Sequence, residues 1–120
     1  MSDTYKIIEN LLRQRILLLD GSMGVLVQGF KLKEEEFRGE KFKNHPVDLR
    51  GNIDVLVLSK PDLIKDIHHK YLAAGADIIE TDTFTATSIS LIEHQLQDYS
   101  YEINKQGADE MKQQVKNFKY

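Results

Sequence analysis

Two short apolar runs constrain the fold of this sequence more than any other feature. The first runs from Ile16 to Leu19 and ends at Asp20 and Gly21. The second covers residues 77–84, where β-branched residues lie among acidic ones. A continuous apolar run such as the first is typical of a parallel strand buried on both faces, and a short β-branched run such as the second also favours a buried strand. We therefore predict one strand over residues 16–20 and another over residues 77–84.

The segment between these runs has the pattern of an amphipathic helix. Pro61 suits the first helical position, Asp62 places negative charge in the first turn, and Gly75 is a good helix stop. Apolar residues recur mostly at intervals of three and four, namely Leu63, Ile64, Ile67, Tyr71 and Ala74. A strand, a helix and a second strand in this order form a parallel crossover unit. The pattern therefore predicts an α/β fold.

Before residue 60 the pattern is less regular. Apolar spacing predicts an amphipathic helix over residues 4–14 and a short helix near residues 24–29. Irregular structure is expected after that short helix, because glycines and charged residues dominate. The apolar run over residues 55–58 suits either a strand or a helix, since Pro61 follows it closely.

Two helices are predicted after the second strand. Thr87 or Ser88 is a suitable N-cap for a helix that carries Ile89, Ile92 and Leu96 on its apolar face. A last helix is expected from about Asp98 to the C-terminus. It contains Gly107, which should cost about 1 kcal/mol relative to alanine.

Composition narrows the possible functions. The 120 residues suit one domain over residues 1–120, and the net charge of −3 without a basic cluster argues against nucleic-acid binding. No apolar stretch is long enough for a membrane span, and the N-terminus lacks a signal-peptide pattern, so we expect a cytoplasmic protein. Cysteine is absent, which excludes disulfides and thiolate chemistry within this chain. His68 and His69 are interpreted as solvated residues of a helix surface.

The ends of the two predicted strands are the best candidates for a binding site. Carboxyl ends of parallel strands converge on one crevice. Asp20 at the first end suits a ligand ammonium group, and backbone N–H groups of the following turn suit a ligand carboxylate. An amino acid satisfies both. Alternatively, Asp20 merely caps the turn and Thr81 and Thr83 are ordinary strand residues.

The residues of these strand ends also bear on two other functions, phosphate or dinucleotide binding and acid–base catalysis. The glycine-containing turn after Asp20 lacks the residues of a phosphate-binding P-loop and the three glycines of a dinucleotide site. Glu80 and Asp82 at the second strand end suggest acid–base work, but their spacing also suits a structural role. The spacing alone does not decide between these readings.

Five phrases of the sequence together resemble a known family. In order they are ILLLDGSMG, FRGE, LRGNIDVLVLSKP, YLAAGADIIETDTF and YEINK. Their order and spacing resemble the homocysteine-binding N-terminal module of cobalamin-dependent methionine synthases, over roughly residues 7–106. One such phrase is weak, whereas five collinear phrases are specific.

The resemblance implies a fold, a reaction and cofactors. The implied fold is a (β/α)8 TIM barrel, of which this chain holds about the first two βα units and an N-terminal helix. The implied reaction is methyl transfer from methylcobalamin to homocysteine, giving methionine, with zinc on three cysteine thiolates binding the homocysteine thiol. Folate recharges the cobalamin on another module, so the implied partners are homocysteine, the remaining barrel, and the cobalamin and folate modules.

The resemblance also assigns substrate-binding roles to residues. Asp20 matches the residue that meets the homocysteine ammonium group, and Gly21 and Ser22 match backbone contributors. The residues matching the second strand end of the pocket are Thr81, Thr83 and Phe84. No metal ligand and no catalytic residue is assigned within this chain.

The sequence departs from the family pattern in ways that affect these expectations. Ser22 replaces a glycine, Val25 a threonine and Asp82 an asparagine, and Thr85 often corresponds to a further asparagine. Ser22 is a mild change if φ stays negative, whereas an ionised Asp82 should weaken binding of a ligand carboxylate.

Length sets the last expectation. A closed barrel needs about 250 residues, so we expect a truncated barrel that is marginally stable or associates, and that is inactive alone. Whether the chain is an enzyme therefore stays open. The alternatives are a non-catalytic amino-acid-binding module and a structural remnant of a truncated gene.

Overall fold

The computed structural model describes residues 2–118, and helices dominate this part of the chain. The α-helices are α1 (Asp3–Leu12), α2 (Met23–Gly29), α3 (Glu34–Arg38), α4 (Leu56–Ser59), α5 (Pro61–Ala73), α6 (Ser88–Leu91) and α7 (Ser100–Asn117). Two short 3₁₀ helices, Ile92–His94 and Gln97–Tyr99, lie between α6 and α7. None of the helices within residues 2–118 has both the length and the apolar character needed to cross a membrane.

The predicted α/β class is wrong. Over residues 2–118 there is no strand longer than an isolated parallel bridge, between Leu19 and Ile78, so the two βα units of a TIM barrel are not formed. A buried parallel strand needs a hydrogen-bonded neighbour on each edge and packed helices on both faces. The predicted strands find neither, since Ile16 is 83% exposed and Phe84 is 95% exposed.

The two predicted strand segments nevertheless lie side by side in parallel. The N–H of Asp77 donates to the carbonyl oxygen of Leu18 at 2.8 Å, and the N–H of Asp20 donates to the carbonyl oxygen of Ile78 at 2.9 Å. Arg15 adds a two-pronged ion pair with the Asp77 carboxylate, at 2.9 and 2.7 Å. We refer to residues 16–20 and 77–84 below as the extended pair.

Helix α5 confirms the predicted helix between these segments. It begins at Pro61, and the chain leaves it through Gly75, whose φ of +104° is a conformation that favours glycine. Ile64 and Ile67 are buried on its inner face. His68 is buried beside them, so the interpretation of this residue as a solvated surface histidine is wrong.

The apolar run over residues 55–58 is helical, which settles its ambiguous pattern. The Asn52 side chain accepts a hydrogen bond from the N–H of Val55 at 3.1 Å and thereby caps the turn that leads into α4. Leu56 and Val57 are fully buried where α4 packs between α5 and α7. This three-helix contact forms the centre of the hydrophobic core.

The remaining helical predictions are confirmed in part. The predicted helices over residues 4–14 and 24–29 correspond to α1 and α2, although α1 buries no side chain. The expectation of irregular structure after α2 is wrong for α3. There Glu34 bonds Arg38 and also accepts from the backbone N–H groups of Leu49 and Arg50, at 2.6 and 2.7 Å.

The last two predicted helices differ from expectation in length. Thr87 caps α6 through the N–H of Ser90 at 3.2 Å, as predicted, but α6 ends at Leu91. Ile89 is exposed, whereas Leu96 is buried beyond the helix, so the predicted apolar face is wrong. Helix α7 confirms the last predicted helix and begins at Ser100.

Candidate functional site

A cavity of about 450 Å³ lies where the extended pair meets the start of α2. Three stretches of chain line it: residues 20–24, residues 51–54 without Asn52, and residues 80–85 without Thr83. Such a volume is typical of a small-molecule pocket. Of the substrate-binding residues predicted from the sequence, all but Thr83 line this cavity.

Asp20 joins the two sides of the cavity. Its backbone bonds Ile78, and its carboxylate Oδ2 accepts a hydrogen bond from the N–H of Glu80 at 3.0 Å. This second bond fixes the carboxylate at the rim of the cavity.

The turn after Asp20 is shaped by a glycine and a serine. A side chain at Gly21 would place a Cβ 3.0 Å from the hydroxyl of Tyr71, which itself donates to the carbonyl oxygen of Ser22 at 3.0 Å. Ser22 has a φ of −64°, and its hydroxyl accepts from the N–H of Val25 at 3.1 Å. Serine is thus compatible with this position and starts α2.

The three predicted residues of the second segment have different surroundings. Thr81 lines the cavity and shares a 2.7 Å hydrogen bond with the hydroxyl of Thr83. The methyl group of Thr83 faces α7, where a Cβ added to Gly107 would lie only 2.8 Å away. Phe84 lies at the cavity mouth, almost fully exposed. Thr83 therefore lies outside the cavity lining and supports the site through its hydrogen bond with Thr81.

Asp54 is a cavity residue that the sequence reasoning missed. Its Oδ2 accepts from the backbone N–H of Thr85 at 2.6 Å and from the Thr85 hydroxyl at 2.7 Å. These bonds tie the turn before α4 to the second extended segment. The sequence offered one signal, since Asn52 and Asp54 directly precede an apolar run in the manner of helix-capping residues.

The sequence predicted a possible negative charge at Asp82, but the surroundings of this residue disfavour its ionised form. Burial, together with the neighbouring carboxyl groups of Asp54 and Glu110, raises the pKa of Asp82 to about 9. At neutral pH Asp82 is therefore protonated and neutral. In this respect it is similar to the asparagine that the family pattern places there.

Carboxyl groups are the main charges that the cavity presents. They belong to Asp20, Asp54 and Glu80, since Asp82 is neutral, and no Lys, Arg or His side chain is part of the described lining. A cationic ligand group is therefore favoured there.

Sequence comparison places this cavity within a known family. The family model for homocysteine S-methyltransferase matches residues 17–120, which is most of the chain. The chain belongs to the homocysteine S-methyltransferase family. The matched region includes all three stretches that line the cavity.

Zinc, which homocysteine S-methyltransferases use, does not fit the residues of this chain. The sequence has no cysteine, and within residues 2–118 no three His, Asp or Glu side chains are arranged to hold a metal ion. Soft thiolate ligands are those that bind zinc most readily beside a thiol substrate. No chemical step through zinc is therefore assigned to this chain.

Proposed function

We propose that the cavity binds homocysteine through its amino-acid group, as the substrate-binding part of a homocysteine S-methyltransferase. One observation carries the proposal. The turn at Asp20 and the segment from Thr81 to Phe84 line the same cavity in a chain that belongs to this family. These are the segments for which family resemblance implies substrate contacts.

Each predicted residue has a distinct role in this proposal. The Asp20 carboxylate, held by the N–H of Glu80, accepts hydrogen bonds from the ligand ammonium group. Backbone N–H groups of Gly21 and Ser22 donate to the ligand carboxylate. Thr81 offers a hydroxyl, and Thr83 holds that hydroxyl in position. The exposed ring of Phe84 covers the ligand's apolar chain.

Methyl transfer to give methionine is the reaction that family membership favours for the complete site. Methylcobalamin supplies the methyl group in the proposed reaction. This chain's residues bind and orient homocysteine, and activation of its thiol needs groups from outside the chain, since cysteine is absent.

The test is a calorimetric titration of the chain with L-homocysteine kept reduced. Asp20→Asn should weaken binding about tenfold or more, because a charge-assisted hydrogen bond contributes about 1.5–3 kcal/mol. The matched control is Asp98→Asn, an exposed acid outside the cavity lining. 4-Mercaptobutyrate lacks the ammonium group, so its binding should not respond to Asp20→Asn. Equal affinities of the wild type and Asp20→Asn for homocysteine would contradict the proposal.

A non-catalytic amino-acid-binding module is the second candidate function. The lack of a zinc site within the described residues favours it. The two candidates differ in whether they recognise the thiol group of the ligand. A module without zinc should bind L-homoserine and L-homocysteine about equally, whether or not Zn²⁺ is added. A clear preference for L-homocysteine over L-homoserine excludes the second candidate.

A further inference from the structure

Two buried carboxyl groups meet at the base of the cavity. Asp54 is 3% exposed and Asp82 is 4% exposed, both line the cavity, and a side-chain hydrogen bond joins them. Two ionised carboxylates cannot form such a bond, because neither has a proton to donate. One of the two groups must therefore be a neutral acid.

The partners of each group indicate which one holds the proton. Asp54 Oδ2 accepts two short hydrogen bonds from Thr85, so this oxygen acts as an acceptor rather than as a proton donor. Asp82 has no comparable donors, and its Oδ2 has no hydrogen-bond partner in the described part of the chain. From the other side, Glu110 of α7 faces Asp82 with a further acidic group. The proton therefore belongs on Asp82.

We propose that Asp54 and Asp82 share one proton and act as a positioning pair, which fixes one wall of the cavity and lets it admit a zwitterionic amino acid. The ligand part of this inference rests on the proposed homocysteine site. The pair joins residues 51–54 to residues 82–85, because Asp54 holds Thr85 and Asp82 holds Asp54.

The shared proton determines which ligands suit the cavity. Asp20 and Glu80 on the extended pair already supply negative charge at the rim. With Asp82 ionised as well, the cavity would repel any ligand that carries a carboxylate. With Asp82 neutral, the cavity accepts the ammonium group and tolerates the carboxylate of the same ligand. Simple amines lack that carboxylate and should be insensitive to the proton.

The first test needs no ligand. Infrared spectra at pH 7 should show a protonated-carboxyl band in the wild type that is missing in Asp82→Asn. Glu110 is the matched control, because burial raises its pKa to about 7 and it contributes a band of its own. Glu110→Gln should therefore keep the Asp82 band. If the wild type and Asp82→Asn have identical bands, the shared proton is disproved.

The second test measures binding against pH. From pH 7 to pH 9, wild-type affinity for L-homocysteine should fall about twofold relative to Asp82→Asn, because about half of Asp82 is ionised at pH 9 and its charge repels the ligand carboxylate. Affinity for 3-aminopropane-1-thiol, which has no carboxylate, should not fall in this way. Asp82→Leu should lose binding that Asp82→Asn restores, since asparagine can still donate to Asp54.

The two tests separate this inference from the proposed function. A protonated-carboxyl band without homocysteine binding upholds the pair and overturns the proposed site together with the zwitterion argument. Homocysteine binding with the same pH profile in the wild type and Asp82→Asn upholds the site and overturns the role of the pair.

Discussion

The helical core and the extended pair both contain apolar side chains, but they differ in how far those side chains are buried. In the core, α4, α5 and α7 bury Leu56, Ile64 and Ile103 completely. In the extended pair, Ile16 and Leu19 are equally apolar and yet remain exposed. A helix satisfies its backbone within one segment, whereas a strand needs neighbours. Apolar residues therefore stabilise the helical core by their burial, whereas in the extended pair the same kind of residue stays exposed and adds little stability.

Truncating one isoleucine in each region should show this contrast most strongly. Ile64→Ala removes a fully buried side chain from the centre of the core and should lower the free energy of unfolding by about 2–5 kcal/mol. Ile16→Ala removes an exposed side chain and should change it by less than about 0.5 kcal/mol. Urea unfolding at pH 7 measures both. Similar losses in the two variants would mean that the extended pair is buried in solution.

Much of the core was predictable because its signals are local. Pro61, Gly75 and the apolar spacing between them specify α5, and Thr87 specifies the start of α6. The strands were mispredicted because an apolar run such as Ile16 to Leu19 reports only that burial is favourable. It does not report whether neighbouring strands are present to provide that burial.

The candidate site was predicted to a different extent from the fold. Asp20 and Thr81 share a cavity because one bridge and one side-chain bond suffice to align their segments. Asp54 was missed because its role depends on Thr85, which is 31 positions away in the chain. His68 was misjudged because a helical pattern alone does not show which neighbours cover each side.

A substitution at the contact between α7 and the extended pair should have the next largest effect on stability. Gly107→Ala places a Cβ 2.8 Å from the methyl group of Thr83, closer than real contacts. Overpacking should cost about 1–3 kcal/mol and outweigh the better helix propensity of alanine. Thr83→Ser removes that methyl group but keeps the hydroxyl, so it should rescue Gly107→Ala. Thermal unfolding of the single and double variants measures this coupling.

Gly29 provides the matched control for this contact. It lies in α2, and a Cβ added there meets nothing within 4 Å. Gly29→Ala should therefore leave stability unchanged or raise it by up to about 1 kcal/mol. If Gly107→Ala also stabilises the chain, α7 does not lie against Thr83 as described.

His68 is a titratable residue buried among the apolar side chains of the core. Its substitution should change stability less than the changes above, and the change should depend on pH. Burial lowers the pKa of His68 below its usual value. The unfolded chain therefore takes up a proton more readily, and stability should fall as the pH drops below about 6.5. His68→Leu should remove about 1 kcal/mol of that fall by pH 5.5. Urea midpoints at pH 7.5 and 5.5 test this, with exposed His69→Leu as the variant that should retain the fall.

Removal of the ion pair between Arg15 and Asp77 should have the smallest effect on stability. This ion pair stabilises only the extended pair. The Arg15 guanidinium and the N–H of Leu18 lower the pKa of Asp77 to about 2. Because this value lies below that of the unfolded chain, the stabilisation is complete above about pH 4 and disappears as the pH falls through about 2. Asp77→Asn should flatten stability over that range, as measured by urea midpoints at pH 4.5, 3 and 2.

Asp66 is the matched control for Asp77, because it also pairs with a cation, Lys70, but within α5. Asp66→Asn should leave the acid dependence close to that of the wild type, since an exposed pair within one helix contributes little. Added salt should weaken the contribution of Asp77 as well, because Arg15 is half exposed. If Asp77→Asn keeps the full acid dependence, the extended segments are held together by their backbone bonds rather than by this charge.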